Sequence, residues 1–428
     1  MRRPRPWRCA AGPACVLAVL VLVAPAAAAA PEYALEIGQS IYRIDNPFLF
    51  PAASADPLHR SDTARSTDLG AALRLPLPSD RSFLLLAGTA SRFDYDALGL
   101  LDHTQGQWLA RYQWETHLLR GRLQHRYDQR LYNYYGGQLA QREVPRNTED
   151  LAEVALRITP ALELPVTASR KTLRYEDATL AQRYDLDDRT LELRFSYMAG
   201  TKSTAAVGVR ETQVDFLRRT PEQIAAIDSR YTDRELFADV AWRATEDTIL
   251  LARVGTLQRR FEHLPARNTQ LVSTQLGMDW HYSPKTTVLL RAWNQPQPND
   301  EADTRLYGIT RGAQARVVWD ATAKIRIALA GSVERQKYQS IDDASGAGAI
   351  GHDRVVRWSV RADYAATPRL VFTAEGLRER YTPDAALSSG SLYERSMLRL
   401  GISYSFENMT GANRARRQLD DLRFERIR

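Results

Sequence analysis

From Tyr33 to Phe406 apolar and polar residues alternate with a period of two, in one segment after another. Leu191, Leu193, Phe195 and Tyr197 oppose Thr190, Glu192, Arg194 and Ser196, and Val356, Trp358, Val360, Ala362 and Tyr364 oppose Arg357, Ser359, Arg361 and Asp363. A helix would scatter these sets around its axis, whereas a strand sends them to opposite faces. No run past the N-terminal region approaches the roughly 18 apolar residues that a membrane helix needs. A long chain of two-faced strands has one economical solution. It closes into a barrel, with the apolar face on lipid and the polar face on water.

Eighteen such segments predict an all-β protein: a single antiparallel transmembrane β-barrel over residues 31–406. Sixteen strands is the nearest alternative, since an even count lets the first and last strands pair antiparallel. The connections alternate in length. Thr116–His117 and Thr367–Pro368 are short turns, while 45–65, 133–147, 217–230 and 339–353 are long polar loops. Short periplasmic turns and long extracellular loops are the asymmetry of an outer-membrane barrel. Strands descending to a short turn end on aromatics: Trp114, Tyr197, Trp242, Trp280 with Tyr282, Trp319, Tyr364, and Tyr404 with Phe406. Rings that are apolar at one end and tolerate water at the other form a girdle at the membrane interface.

The first thirty residues differ in kind. Arg2, Arg3, Arg5 and Arg8 precede an apolar run, Val16 to Val23, and Ala26 to Ala30 offer a small-residue cleavage site. The pattern predicts a signal peptide over residues 1–30 and an exported chain. Both cysteines, Cys9 and Cys15, leave with it, so neither disulfides nor thiolate chemistry are expected downstream. The four arginines leave too, and the formal charge falls from +7 to +3. That balance gives no support for nucleic acid as a partner.

Arg399-Leu400-Gly401-Ile402-Ser403-Tyr404-Ser405-Phe406 is similar to the terminal β-signal read by the barrel-assembly machinery, with Gly401, Tyr404 and Phe406 as its marked positions. A polar tail, residues 407–428, follows and is expected in the periplasm, as a solvated end, a docking segment or a plug.

Alternation assigns the lumen. Arg111, Arg120, Arg122, Arg126, Asp128, Arg130, Glu192, Arg194, Arg316, Arg326, Arg357, Arg361 and Arg399 are expected to point inward. Charges are costly against lipid, so such an interior is hydrated or internally paired. Two readings stand: a salt-bridged wall that supports a wide barrel, or a conduit whose basic excess attracts acidic or neutral polar solutes. Tyr132, Asn133, Tyr134, Tyr135, Gly136 and Gly137 suit a sugar face or the outer interface, and Thr220-Pro221-Glu222-Gln223 reads as the capped start of a short helix ending near Asp228. No nucleotide-binding, zinc-protease or nucleophile-elbow motif occurs, and the seven histidines lack ligand spacing, so neither a cofactor nor a metal is expected. Ser273 and His281 share a face by parity, the pairing that chance supplies in a chain of many strands.

Tyr42-Arg43-Ile44-Asp45-Asn46-Pro47-Phe48-Leu49-Phe50, then Arg60-Ser61-Asp62-Thr63-Ala64-Arg65-Ser66-Thr67 and Leu101-Asp102-His103 resemble segments of the EpsL-type exopolysaccharide proteins in the β-barrel porin 2 group. The resemblance is strongest over residues 33–140. It implies an outer-membrane porin through which an exopolysaccharide leaves the cell, with periplasmic polysaccharide export partners. The residues themselves establish only a barrel with a polar interior, for which a general or solute-specific diffusion porin is the alternative.

Overall fold

A computed structural model describes residues 30–51, 54, 60–77, 81–131, 142–296, 305–340, 350–384 and 392–408. The leader up to Ala29, the aromatic loop at 132–137 and the tail from 409 onward lie outside the described residues.

Eighteen strands follow one another around the wall. The first six are β1 (Glu32–Ile44), β2 (Asp62–Pro76), β3 (Phe83–Tyr95), β4 (His103–Glu115), β5 (Leu119–Gln129) and β6 (Arg146–Thr159). Then come β7 (Leu162–Arg174), β8 (Leu186–Met198), β9 (Thr204–Phe216), β10 (Arg230–Arg243), β11 (Thr248–Phe261) and β12 (Thr269–Ser283). The last six are β13 (Thr286–Pro296), β14 (Arg305–Asp320), β15 (Ile325–Ser340), β16 (Ile350–Ala365), β17 (Leu370–Thr382) and β18 (Tyr393–Glu407). Each pairs antiparallel with its sequence neighbours, and β18 pairs with β1, so the sheet has no free edge. Closure satisfies every strand's backbone groups internally, as a lipid-exposed wall requires. Turns such as 116–118, 160–161 and 366–369 gather at one end, with both ends of the barrel segment, and the long connections gather at the other.

The seam is drawn tight. Gly401 lies opposite Ser40, and a β-carbon at Gly401 would stand 2.7 Å from the Ser40 Oγ. At the periplasmic end the Asn408 side chain accepts from Tyr33 N at 2.9 Å and donates to Pro31 O at 2.7 Å, pinning the two ends together. Tyr404 and Phe406 sit opposite Ile37 and Leu35, whose side chains are exposed on the outer face.

Along β1 the burial strictly alternates, with Tyr33, Leu35, Ile37 and Ile41 exposed and Glu32, Ala34, Glu36, Ser40 and Tyr42 buried. The polar face is therefore the inner one. The aromatics at the short-turn end face outward, and Tyr197, Trp242, Tyr282, Trp319, Tyr364 and Phe406 are exposed. Tyr112 stacks with Trp114, and Trp280 meets Tyr282 edge-on.

Among the described residues two short α-helices lie in the long loops. The expected one, α2 (Pro221–Ile227), carries a full capping box between Thr220 and Gln223. The other, α1 (Ala178–Tyr184), opens on Asp177, whose carboxylate accepts from the backbone of Thr179 and Leu180. Asp228, at the end of α2, also clasps the β11–β12 loop. It accepts from the His263 backbone at 2.6 Å and from Leu264 at 3.0 Å, and its other oxygen lies 2.9 Å from His263 Nδ1. Burial alone would push the Asp228 carboxyl up, but the hydrogen bonds from the His263 ring and from the His263, Ser229 and Arg230 amides hold it below its usual range. The same contact with Asp228 raises His263 above its ordinary value.

A depressed carboxylate stabilises above its unfolded pKa and loses that as pH falls through the folded one. A raised histidine stabilises below its unfolded pKa and loses that as pH rises through the folded one. The clasp should thus be tightest in mildly acidic solution and loosen on both sides. The protection factors of the His263 and Leu264 amides, taken relative to intrinsic exchange at each pH, are expected to pass through a maximum there. Protection that is flat across pH, or a His263→Gln variant with the same profile, would dismiss the clasp.

Candidate functional site

The candidate site is the lumen with its extracellular mouth. In an antiparallel pair, opposed residues share a face. Gln107, buried on the inner wall, faces Asp128, and Leu109 faces Arg126; the same parity turns Arg111, Arg120 and Arg122 inward. Arg130 follows on, donating to Asp128 at 2.7 Å. Register likewise places Glu192, Arg194, Arg316, Arg326, Arg357, Arg361 and Arg399 on the inner face, Arg316 between Leu289 and Ala330.

The wall carries paired charge. Arg120 lies 2.9 Å from Glu163, Arg122 2.9 Å from Glu153, and Arg157 bridges Glu115 and Glu163 at 2.6 and 3.1 Å. Arg194 meets Glu192 at 3.0 Å, and Arg326 meets Asp320 at 2.6 Å. On the opposite arc Arg357 contacts Glu379 at 2.5 Å, Arg361 contacts Asp363 at 2.9 Å, and Arg399 contacts Glu375 at 3.5 Å. Arg111 instead donates to the Gln124 amide oxygen at 2.9 Å. Higher up, Arg259 clamps Asp233 with two bonds of 2.7 Å and lies over the Tyr231 ring. Pairs open to water contribute little each, about 0.2–1 kcal/mol, but together they hold every side chain in a fixed place.

The mouth is apolar and knotted. Beyond β1 the chain turns inward, and Leu49 is 1% exposed against Val355, Tyr381 and Tyr393 on the inner wall. Phe48 and Phe50 pack with Leu98 and Leu101 from the β3–β4 loop. Asn46 ties the turn. Its Nδ2 donates to Phe50 O at 2.8 Å and Glu394 O at 3.0 Å, and its Oδ1 accepts from Phe50 N at 2.8 Å. Asn46 and Leu49 both adopt positive φ, 53° and 58°. Asparagine tolerates that region, whereas leucine is held there at a cost of order 1 kcal/mol or more.

Asp62 accepts from Ala97 and Leu98 at 3.1 and 2.7 Å, and Asp102 accepts from Tyr95 at 2.7 Å. His103 stacks on Phe93 at 4.9 Å. The segments that carry the family resemblance therefore knit the mouth. None of them forms a reactive site. Their alternation stops at Ile44, so the inward turn had no periodic signal; the Asn-Pro step was the one local hint.

Beneath this knot lies a cavity of about 730 Å³. It reaches from Pro47 and Leu49 to the β14–β15 turn at Thr322–Lys324, and its walls include Glu36, Asp68, Arg361, Glu375 and Arg399. Asp68 accepts from Ser66 at 2.9 Å and from Ser91. Ser273 donates to Glu235 at 2.6 Å, while the His281 ring lies 3.2 Å from the Thr287 hydroxyl, so each has its own partner. Among the described residues no group of three ligating side chains is placed to hold a metal ion.

A closed barrel with a lipid-facing apolar band, an aromatic girdle and a charged lumen defines an outer-membrane β-barrel of the porin kind, in the outer membrane of a Gram-negative cell. The chain matches no protein-family model and no curated protein. Among solved structures it is similar to OccK2 (OpdF) of Pseudomonas aeruginosa, with 10% identity over 89% of this chain and 98% of that one, TM-score 0.48. It is also similar to a BenF-like porin from Pseudomonas fluorescens, with 9% identity, 88% and 99% coverage and TM-score 0.47. OccAB3 of Acinetobacter baumannii gives 10% identity, 88% and 99% coverage and TM-score 0.45. At these scores the likeness bears on no substrate, and the barrel rests on its own strand pairing.

Proposed function

We propose that the chain is a passive, solute-selective diffusion porin for small polar molecules. The observation that supports this most is the cavity running from the apolar knot to the periplasmic rim between walls of paired guanidinium and carboxylate. A solute there exchanges its hydration for fixed donors and acceptors of both signs, without any covalent step. Balanced pairs favour neutral or zwitterionic polar solutes over simple anions, because little net field is left to draw a single sign of charge. Export of an exopolysaccharide rests on the family resemblance alone.

The purified protein in a planar bilayer is expected to give discrete ohmic steps with weak ion selectivity, and proteoliposomes should swell in neutral sugars or zwitterionic amino acids. A silent bilayer together with unswollen liposomes would overturn the reading. So would a deletion strain that loses secreted polysaccharide while its small-solute uptake stays unchanged.

A further inference from the structure

The outer surface carries an unbalanced row of charge. Asn294 on β13 lies opposite Arg311 on β14, Arg311 opposite Arg335 on β15, and Arg335 opposite Arg354 on β16. These positions share the parity of Trp319, which faces outward, and all three arginines are exposed. Like charges set directly across a strand pair destabilise a sheet. Arg311 donates to the Asn294 amide oxygen at 2.7 Å, which fixes the guanidinium without neutralising it. Among the described residues no carboxylate lies within ion-pair distance of Arg335 or Arg354.

The far side of the barrel differs at the same height. There two outward arginines have carboxylates, Arg170 meeting Asp187 at 2.6 Å and Arg234 meeting Glu211 at 2.7 Å, and Arg189 lies opposite the paired Arg170.

Directly below the row the wall is hollow. A groove of about 580 Å³ crosses β12 to β15. Ala313, Ala315 and Gly331 form its floor, with Leu276, Leu290 and Val333 along its sides. A side chain on Gly331 would meet nothing within 4 Å. Eight residues separate Arg311 from the girdle residue Trp319 on β14. At about 3.4 Å per residue and a tilt near 40°, that places the row roughly 20 Å above the girdle, close to the top of an apolar band about 25 Å tall. The row thus stands at outer-leaflet headgroup height, with the groove at acyl-chain depth.

We propose that this face binds a phosphate-bearing, acylated glycolipid of the outer leaflet, with phosphate across Arg311, Arg335 and Arg354 and an acyl chain in the groove. Guanidinium groups bind phosphate through paired, charge-assisted hydrogen bonds, and a bound phosphate turns the mutual repulsion of the row into attraction.

The test uses the full mature chain in neutral detergent, with diphosphorylated lipid A, its dephosphorylated form and inorganic phosphate as probes. Bound lipid is counted by native mass spectrometry. The wild type should retain diphosphorylated lipid A at least tenfold better than the dephosphorylated form, a comparison that needs no variant. R311Q/R335Q/R354Q should fall to the dephosphorylated level, and Ala315→Phe should weaken lipid retention by filling the groove. R170Q/R234Q, on the balanced side, should change nothing. Heat-modifiable migration certifies that each variant is folded. Equal retention of the two lipids, or equal loss from the control pair, would overturn the site. Inorganic phosphate binding as tightly as lipid A would overturn the groove's part in it.

Discussion

Asn46→Ala is expected to release the mouth loop from the lumen wall while the barrel stays closed. Asn46 is 2% exposed and spends its whole amide on Phe50 and on the Glu394 carbonyl. Alanine would leave the Phe50 N–H and two carbonyls without that partner, and would sit less comfortably at a φ of 53°. A single buried group left unsatisfied costs roughly 1–3 kcal/mol. Three together, partly relieved by water, make about 3 kcal/mol a fair expectation. That multiplies the population of the released loop by about a hundredfold.

The barrel's own ladders are untouched, so the loss is local. Single-channel records should show a larger and noisier conductance than the wild type, and the Phe50 amide should lose its protection from exchange. Asn46→Asp keeps an acceptor for Phe50 N but no donor for the carbonyls, and should fall between the two. Unchanged conductance with an unprotected Phe50 would mean that the loop does not restrict the passage. Unchanged protection would mean that Asn46 does not hold it.

The strand count was legible because lipid imposes a single rule. Every residue within its depth that points outward must be apolar, and a period of two then fixes its neighbours. The rule lapses above the membrane, and the reading lapsed with it. Alternation suggested that the second strand begins at Ser66, but β2 begins at Asp62, where Thr63 and Arg65 face outward and no apolar partner marks the pattern. Alternation likewise places the start of the sixteenth strand at Arg354, but β16 starts at Ile350, its outward His352 and Arg354 being polar. Helix α1 lies where alternation predicts a loop, and Asp177 as its cap is the available signal.

Within the site, parity turned each arginine inward but could not choose its partner. Arg120 meets Glu163, two strands away, because barrel stagger brings those side chains level, and stagger is a property of the closed sheet. The basic excess suggested by composition is accordingly taken up by carboxylates that sequence order keeps apart. The outward row at Arg311, Arg335 and Arg354 had no signal at all, since polar residues had been assigned to the lumen as a class.

That pairing changes what neutralising the β5 arginines should do. R120Q, R122Q, R126Q and R130Q together remove four positive charges from one arc of the wall and strand the carboxylates of Glu163, Glu153 and Asp128. Glu163 keeps Arg157 at 3.1 Å, so it stays partly compensated. Glu153 and Asp128 lose the contacts at 2.9 and 2.7 Å made by Arg122 and Arg130. These two lumen-facing carboxylates, six positions apart along the β5–β6 register, each set up a local negative field, strongest at low salt, where the Debye length reaches about 30 Å at 0.01 M and spans both. A channel of weak selectivity should therefore become clearly cation-selective, and the reversal potential in a potassium chloride gradient should change sign or move well toward the cation limit. The shift should shrink as salt rises through about 1 M, where screening is nearly complete within 3 Å. Further replacement by E153Q and D128N in the same background should bring selectivity part of the way back, because it removes two of the four net negative charges that the arginine changes created. A quadruple variant that simply loses anion preference, with no gain for cations and no reversal by the double carboxamide change, would show that these side chains do not border the conducting path.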